Sequence, residues 1–270
     1  MIKNLLVSIL LFFCFTAFAQ DNISVISWNI RDFGKTKSSG ELEQIAEIVR
    51  DADILAIQEV VSGYGGAQAV AKLADILNRK GSKWDYVISN PTCSTKYVTE
   101  RYAFIWKTSR FNIKQRGKLI SELDSLVDRE PFLMDFYLEG KAFTLIDFHS
   151  RPHDKNPEAE IAAITNYLIE DLRGIPVLLV GDFNVNEQEP IFDALKHKGF
   201  TAAIFNQKTT LKYVCEGNDY LNYAIDNIFY SKGIIKTESN AIDFVRLCEN
   251  LEAARTLSDH LPVFMEFTME

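Results

Sequence analysis

The chain has 270 residues, 47% of them apolar and 24% charged, with 37 acidic against 29 basic side chains and a net charge of −8. That length and apolar fraction provide a core and exclude a disordered chain. The acidic balance gives no long-range attraction toward an anionic polymer, so tight non-specific nucleic-acid binding is disfavoured, although a local, metal-assisted site is not.

Residues 1–19 read as a signal peptide. Lys3 is followed by an apolar run from Leu5 to Phe18, and Ala17-Phe18-Ala19 offers small residues where a signal peptidase cuts. Cleavage before Gln20 places the product outside the cytoplasm, secreted or periplasmic, with no later segment able to span a bilayer. Losing Lys3 takes the net charge from −8 to −9, and Cys93, Cys215 and Cys248 remain. Three cysteines allow at most one internal disulfide, and the sequence does not choose the pair.

In chain order, Ile23–Asn29 alternates as a first strand, and Asn29-Ile30-Arg31-Asp32 leaves it with polar side chains. Ser38-Ser39-Gly40-Glu41 has capping-box spacing and opens a helix to Arg50. Ile54–Ile57 is a buried strand that delivers Gln58 and Glu59, and a second helix covers Gln68–Arg79. Strand-like runs follow at Trp84–Ser89, Tyr102–Lys107, Phe111–Leu119, Pro131–Leu138 and Phe143–His149. Asn156-Pro157-Glu158 starts a helix running to Arg173. Val177–Val180 is a buried strand stopped by Gly181, Ile191–Lys198 a short helix, and Ile225–Tyr230 and Val263–Phe267 are late strands. Mixed helices and strands, with strands adjacent in the middle, fit two face-to-face sheets with helices outside, in one domain over 20–270.

Polar, often ionisable, side chains recur at strand ends. Asn29, Glu59, His149, Asp182 and Asn184 end strands, Glu100 and Asp259-His260 precede them, and Asp226 lies within one. A charge in a buried strand is costly unless paired or coordinated, so several at one rim would make a site. Glu59 and Asp259, helped by Asn29, are oxygen ligands suited to Mg²⁺, with Mn²⁺ or Ca²⁺ as alternatives. Asp182 and Asn184 are expected to share one side of an extended chain and hold a water, a cation or a phosphoryl oxygen. His149 and His260 are proton-transfer groups, each oriented by a carboxylate, Glu100 for one and Asp226 for the other. The set suits water attack on a phosphodiester. Ser94 and Ser150 lack triad partners, which sets serine hydrolysis aside.

Ser27-Trp28-Asn29-Ile30-Arg31, Gln58-Glu59-Val60, Glu100-Arg101-Tyr102, Arg129-Glu130-Pro131, His149-Ser150, Gly181-Asp182-Phe183-Asn184, Tyr223-Ala224-Ile225-Asp226 and Ser258-Asp259-His260-Leu261-Pro262-Val263 resemble, in order, the endonuclease/exonuclease/phosphatase superfamily. Within it the similarity is to secreted deoxyribonuclease I-like nucleases. The resemblance implies an α+β fold, a four-layer αββα sandwich of two mainly antiparallel sheets flanked by helices. It also implies Mg²⁺-dependent hydrolysis of DNA by a monomer, with Asn29, Glu59 and Asp259 near the metal. Glu100, His149, Asp182, Asn184, Asp226 and His260 would be catalytic, Arg31 and Arg129 would contact phosphate, and Tyr97 would match a groove-contacting tyrosine. Two departures stand out: Val61 occupies the place of a minor-groove arginine, and the spacing from Tyr97 to Glu100 is one residue longer. Two other readings stay open, a lipid, inositol or nucleotide phosphoesterase and a binding protein that has lost catalysis.

Overall fold

The computed structural model describes residues 22–95, 97–170 and 174–270. The expected signal peptide and the last turn of the helix expected to end at Arg173 lie outside them. The described elements are β1 (Ile23–Phe33), α1 (Ser39–Val49), β2 (Ile54–Val61), α2 (Gly66–Asn78), β3 (Trp84–Ile88), β4 (Glu100–Lys107), β5 (Lys118–Leu119), β6 (Phe132–Leu138), β7 (Lys141–His149) and α3 (Pro157–Glu170). There follow β8 (Val177–Asp182), α4 (Asp193–His197), β9 (Thr201–Ala202), β10 (Leu211–Glu216), β11 (Asp219–Leu221), β12 (Asp226–Tyr230), β13 (Ile234–Ala241), α5 (Leu251–Leu257) and β14 (Val263–Met269). No helix among the described residues is long and apolar enough to cross a membrane.

Two six-stranded sheets form, in the orders β13-β14-β1-β2-β4-β3 and β5-β6-β7-β8-β12-β9, with β10-β11 as a separate hairpin. Among the described strands only β1–β2 and β7–β8 pair in parallel; the remaining pairings are antiparallel. Alternate side chains of each sheet point to opposite faces, so each sheet buries two cores. Val25, Ile54, Phe104, Phe136, Leu145, Val180 and Met265 fill the space between the sheets. The other faces hold separate clusters, Ile26, Trp28 and Leu55 under α1 and α2, and Phe148, Leu179 and Phe229 under α3 and α4. The result is the four-layer αββα sandwich.

Local chemistry explains the helix starts. Glu41 N donates to Ser38 Oγ at 3.2 Å and Ser38 N to Glu41 Oε2 at 2.6 Å, the reciprocal capping box anticipated from spacing. The expected strand over Phe111–Leu119 shrinks to β5 and one isolated bridge, Asn112 to Tyr137. Polar Lys114, Gln115 and Arg116 interrupt it, and Gly117 passes so close to β6 that a Cβ there would sit 2.7 Å from Leu133 O.

The topology brings one end of each strand carrying a polar residue to the same rim. β1, β2, β7 and β8 arrive there with their C-terminal ends, and β4, β12 and β14 leave with their N-terminal ends. Across the second sheet His149 is registered with Asp182 and Asp182 with Asp226.

Candidate active site

Asp182 is the hub. Its Oδ2 accepts from Asn29 Nδ2 at 3.1 Å, bridging the two sheets, and lies 3.6 Å from His149 Nε2 and 3.8 Å from His260 Nε2. Each imidazole is held from its other nitrogen. His149 Nδ1 is 3.0 and 3.1 Å from the Glu100 oxygens, and His260 Nδ1 is 3.0 and 2.9 Å from those of Asp226. Both Nε2 atoms thus point at one carboxylate.

The supports are buried. Arg129 Nε is 3.0 Å from Glu100 Oε2, and its Nη1 donates to Ser150 O at 3.2 Å. Thr209 Oγ1 donates to Asp226 Oδ2 at 2.6 Å and is wholly buried. Trp28 Nε1 donates to His260 O at 2.8 Å, and Ser258 Oγ donates to Asn29 O at 2.6 Å while accepting from His260 N at 3.0 Å. Asp182 and Asn184 come together through a turn, not through the pleat of a strand. β8 ends at Asp182, Asn184 has φ +52°, its N–H donates to Asp182 Oδ1 at 2.9 Å, and its Nδ2 donates to Ser150 O at 3.2 Å. Gly181 is obligatory before them, because a Cβ there would lie 1.8 Å from Phe148 O.

Proton affinities follow from this packing. Burial pulls the Glu100 carboxyl up, but His149 and Arg129 outweigh it and hold it below its ordinary value. Burial would lower His149; Glu100 chiefly, with Asp182, reverses that against Arg129 and raises it. Burial likewise opposes charge on His260, yet Asp226 and Asp182 push it up to about 10. Asp182 is raised by burial and by Asp226, with His260 and His149 pulling the other way. A raised carboxyl between two imidazoles is a stronger base than a surface aspartate.

Of the three expected oxygen ligands, Asn29 and Glu59 are in direct contact. Asn29 Nδ2 donates to Glu59 Oε1 at 3.0 Å, and Asp32 N to Glu59 Oε2 at 3.1 Å. Glu59 sits at φ +60°, beside a register shift between β2 and β4, a strained conformation of the kind that collects at functional sites. Asn29 Oδ1 is buried with no hydrogen-bond partner among the described residues. An orphaned amide oxygen beside a carboxylate fits a hard divalent cation. The Asp259 carboxylate instead pairs with two arginines, 3.6 Å from Arg31 and 3.8 Å from Arg255. Donor atoms of Asp182, Asp226 and His260 also lie within 4.8 Å of one another. The His260–Asp226 hydrogen bonds already occupy the Nδ1 face of that imidazole and both Asp226 oxygens. Arg31 stands half-exposed beside Asp32 and Asp259, and Tyr97 is exposed on the turn before β4.

Thr209 carried no signal in the sequence, and Gln58, though part of the Gln58-Glu59-Val60 motif, gave no sign of its partner Asp147. Thr209 lies in a polar loop, and only the fold sets it on Asp226.

A family model described as Endonuclease/Exonuclease/phosphatase family matches residues 26–260. The chain belongs to that family. Deoxyribonuclease-1 of Oryctolagus cuniculus is 29% identical over 178 residues, 61% of this chain and 62% of that protein. Deoxyribonuclease-1 of Mus musculus is 29% identical over 179 residues, 60% of each. The chain thus aligns with about 60% of the length of these relatives. In structure it is similar to an endonuclease/exonuclease/phosphatase family protein of Bacteroides thetaiotaomicron, with TM-score 0.67, 19% identity, and coverage of 93% and 98% of the two chains. A mannosyl-6-phosphatase of the same organism has TM-score 0.67 at 18% identity, covering 92% and 100%. TDP2 of D. rerio, complexed with a single-strand DNA product, has TM-score 0.63 at 13% identity, covering 92% and 99%. At these identities the structural likenesses speak for the fold alone.

Proposed function

We propose that the protein is an exported, divalent-cation-dependent phosphodiesterase that hydrolyses DNA internally. The observation that carries this reading is Asp182 Oδ2 facing both imidazole Nε2 atoms, at 3.6 and 3.8 Å, with each imidazole backed by its own carboxylate. That arrangement handles protons on both sides of one small group. Similarity to two deoxyribonucleases supports the substrate class.

Asn29, Glu59 and Asp259 would hold Mg²⁺, which when bound supplies positive charge to a phosphoryl oxygen. Asp182 orients the attacking water and takes its proton, its basicity raised by burial and Asp226. The Nε2–H groups of His149 and His260 face the charge that develops. One steadies the phosphoryl oxygens and the other protonates the leaving oxygen. Glu100 and Asp226 keep both rings in that orientation and stabilise their charged forms. Asn184 places its amide on the same rim, Arg31 adds positive charge for a flanking phosphate, and Arg129, expected at a phosphate, is buried and steadies Glu100 from behind.

The test is cleavage of plasmid, linear duplex and single-stranded DNA by the mature chain with Mg²⁺, with and without chelator. Chelator-sensitive internal cutting is expected; intact DNA in all forms would remove the reading. The net charge of −8 favours a second reading with the same chemistry on a small phosphoester. Phosphate release from a phosphoester panel without DNA cleavage would select it.

A further inference from the structure

Beside the site stands a hairpin that the mechanism above does not use. β10 and β11 project from the sandwich with their own small core of Leu211, Tyr220, Val245, Leu251, Ala254 and Leu261. A disulfide between Cys215 and Cys248 ties β10 to the segment before α5. Leu211 N donates to Asp259 O at 2.8 Å and Thr210 bridges to His260, so the hairpin base is fastened to the site's own motif. The register slips between Leu211 and Glu216, a bulge of the sort that re-aims side chains next to active sites.

Tyr213 lies in that bulge with 83% of its surface exposed. The Arg255 guanidinium stacks over its ring, 4.1 Å from the centroid. Arg255 is fixed in turn: Nη1 donates to Leu211 O at 2.8 Å and to Lys212 O at 3.2 Å, and Nη2 is 3.8 Å from Asp259 Oδ2. A ring so exposed gains little from burial, yet an Arg with a 12% exposed side chain holds it in place. Two residues of extended chain place it at most about 7 Å from Leu211, and hence close to Asp259.

We infer that Tyr213, backed by Arg255, is a stacking platform for an unpaired nucleobase about one nucleotide from the scissile phosphate, which makes single-stranded or unpaired DNA the preferred substrate. The inference rests on the nuclease reading above. Every base offers a π face, so such a platform is indifferent to sequence, whereas bases inside a duplex are stacked on each other and present no face to it. The guanidinium behind the ring adds charge complementary to the adjoining phosphate without a broad basic surface, in keeping with an acidic protein. Arg255 and Tyr213 are positioning and specificity residues here; neither touches the reacting atoms.

The test uses the full mature chain with a labelled single-stranded oligonucleotide, reading equilibrium binding in chelator by anisotropy and kcat and KM in Mg²⁺. Tyr213→Ala should weaken binding and raise KM roughly 5- to 150-fold with kcat little changed, and Tyr213→Phe should restore both. Placing an abasic nucleotide beside the scissile phosphate should cost the wild type the same factor and Tyr213→Ala nothing further. Cleavage of covalently closed duplex should be the same in both proteins. Equal binding and KM for wild type and Tyr213→Ala would overturn the platform while leaving the nuclease reading in place. A wild type that neither binds nor cuts any nucleic acid would overturn both. Loss of phosphatidylcholine-vesicle binding in Tyr213→Ala, with oligonucleotide binding unchanged, would reassign the ring to a membrane surface.

Discussion

Asp182 and Asp226 are direct partners across the antiparallel β8–β12 ladder, two buried carboxyls on adjacent strands with His260 spanning them. Such a pair is tolerable only while positive charge sits between them, and burial with the neighbouring Asp226 raises the Asp182 carboxyl. On the proposed mechanism, catalysis and stability therefore pull in opposite directions at Asp182. Asp182→Asn keeps the shape and removes the base, so turnover should fall by about 10³-fold or more, in line with deletions within a catalytic unit. The melting temperature should stay level or rise, because a buried like-charge contact has gone. Retained turnover with a large drop in melting temperature would show that the cluster is core pairing and not a site.

Thr209 positions Asp226 from behind. Removing its hydroxyl leaves Asp226 Oδ2 with His260 as its neighbour and without the 2.6 Å donor. A net loss of about 1–3 kcal/mol is expected for a buried hydrogen bond to a charged group. Thr209→Val should lower kcat about tenfold and KM hardly at all, and Thr209→Ser should restore kcat. A change confined to KM would mean that Thr209 meets substrate directly.

Between the sheets, Gln58 Nε2 donates to Asp147 Oδ1, while Gln58 Oε1 and Asp147 Oδ2 are buried without partners among the described residues. A proton on the carboxyl would remove an unpaired negative charge from this buried space. Consistently, burial pushes the Asp147 carboxyl well above its ordinary value, with Glu100 adding to this and Gln58 and His149 opposing it. The folded state therefore holds a proton that the unfolded state releases near the ordinary carboxylate range. This contribution to stability is complete below that range and is lost as pH rises toward the folded value. Asp147→Asn keeps this position neutral without that proton. Its melting temperature should exceed the wild type's at neutral pH, and the gap should close on acidification toward pH 4. A gap that widens on acidification would mean that the native carboxyl is charged.

Strand ends made the rim legible in the sequence. Apolar runs stopped by Asn29, Glu59, His149 and Asp182 announce themselves locally, and Ser38 with Glu41 announces a helix start. What the sequence left dark depends on contacts distant along the chain. Thr209 joins Asp226 across 17 residues and Gln58 joins Asp147 across 89, and neither pair leaves a periodic trace. The i, i+2 alternation placed Asp182 and Asn184 together for the wrong reason, since the strand stops between them and a left-handed turn does the work. The hairpin was hidden because its exposed, bulged strand alternates poorly, and the Cys215–Cys248 pairing needed coordinates to separate it from the two other pairs.

That disulfide closes a loop with a sequence separation of 33 and fastens the hairpin carrying Tyr213 to the segment before α5. Chain-entropy reasoning puts the stabilisation from closing such a loop at about 2–4 kcal/mol. The two sheets have their own cores and do not depend on it, so the loss should be felt first in the hairpin. In Cys215→Ser/Cys248→Ser, amide hydrogen exchange should quicken over 211–221 and 243–257 while β1, β2, β7 and β8 keep their protection. Cleavage of single-stranded DNA should show a raised KM with kcat within a few-fold of wild type, because the imidazoles and their carboxylates are anchored on the sandwich. If exchange rose uniformly across both sheets, the disulfide would be holding the whole domain, and the hairpin would not be a separable wall of the site.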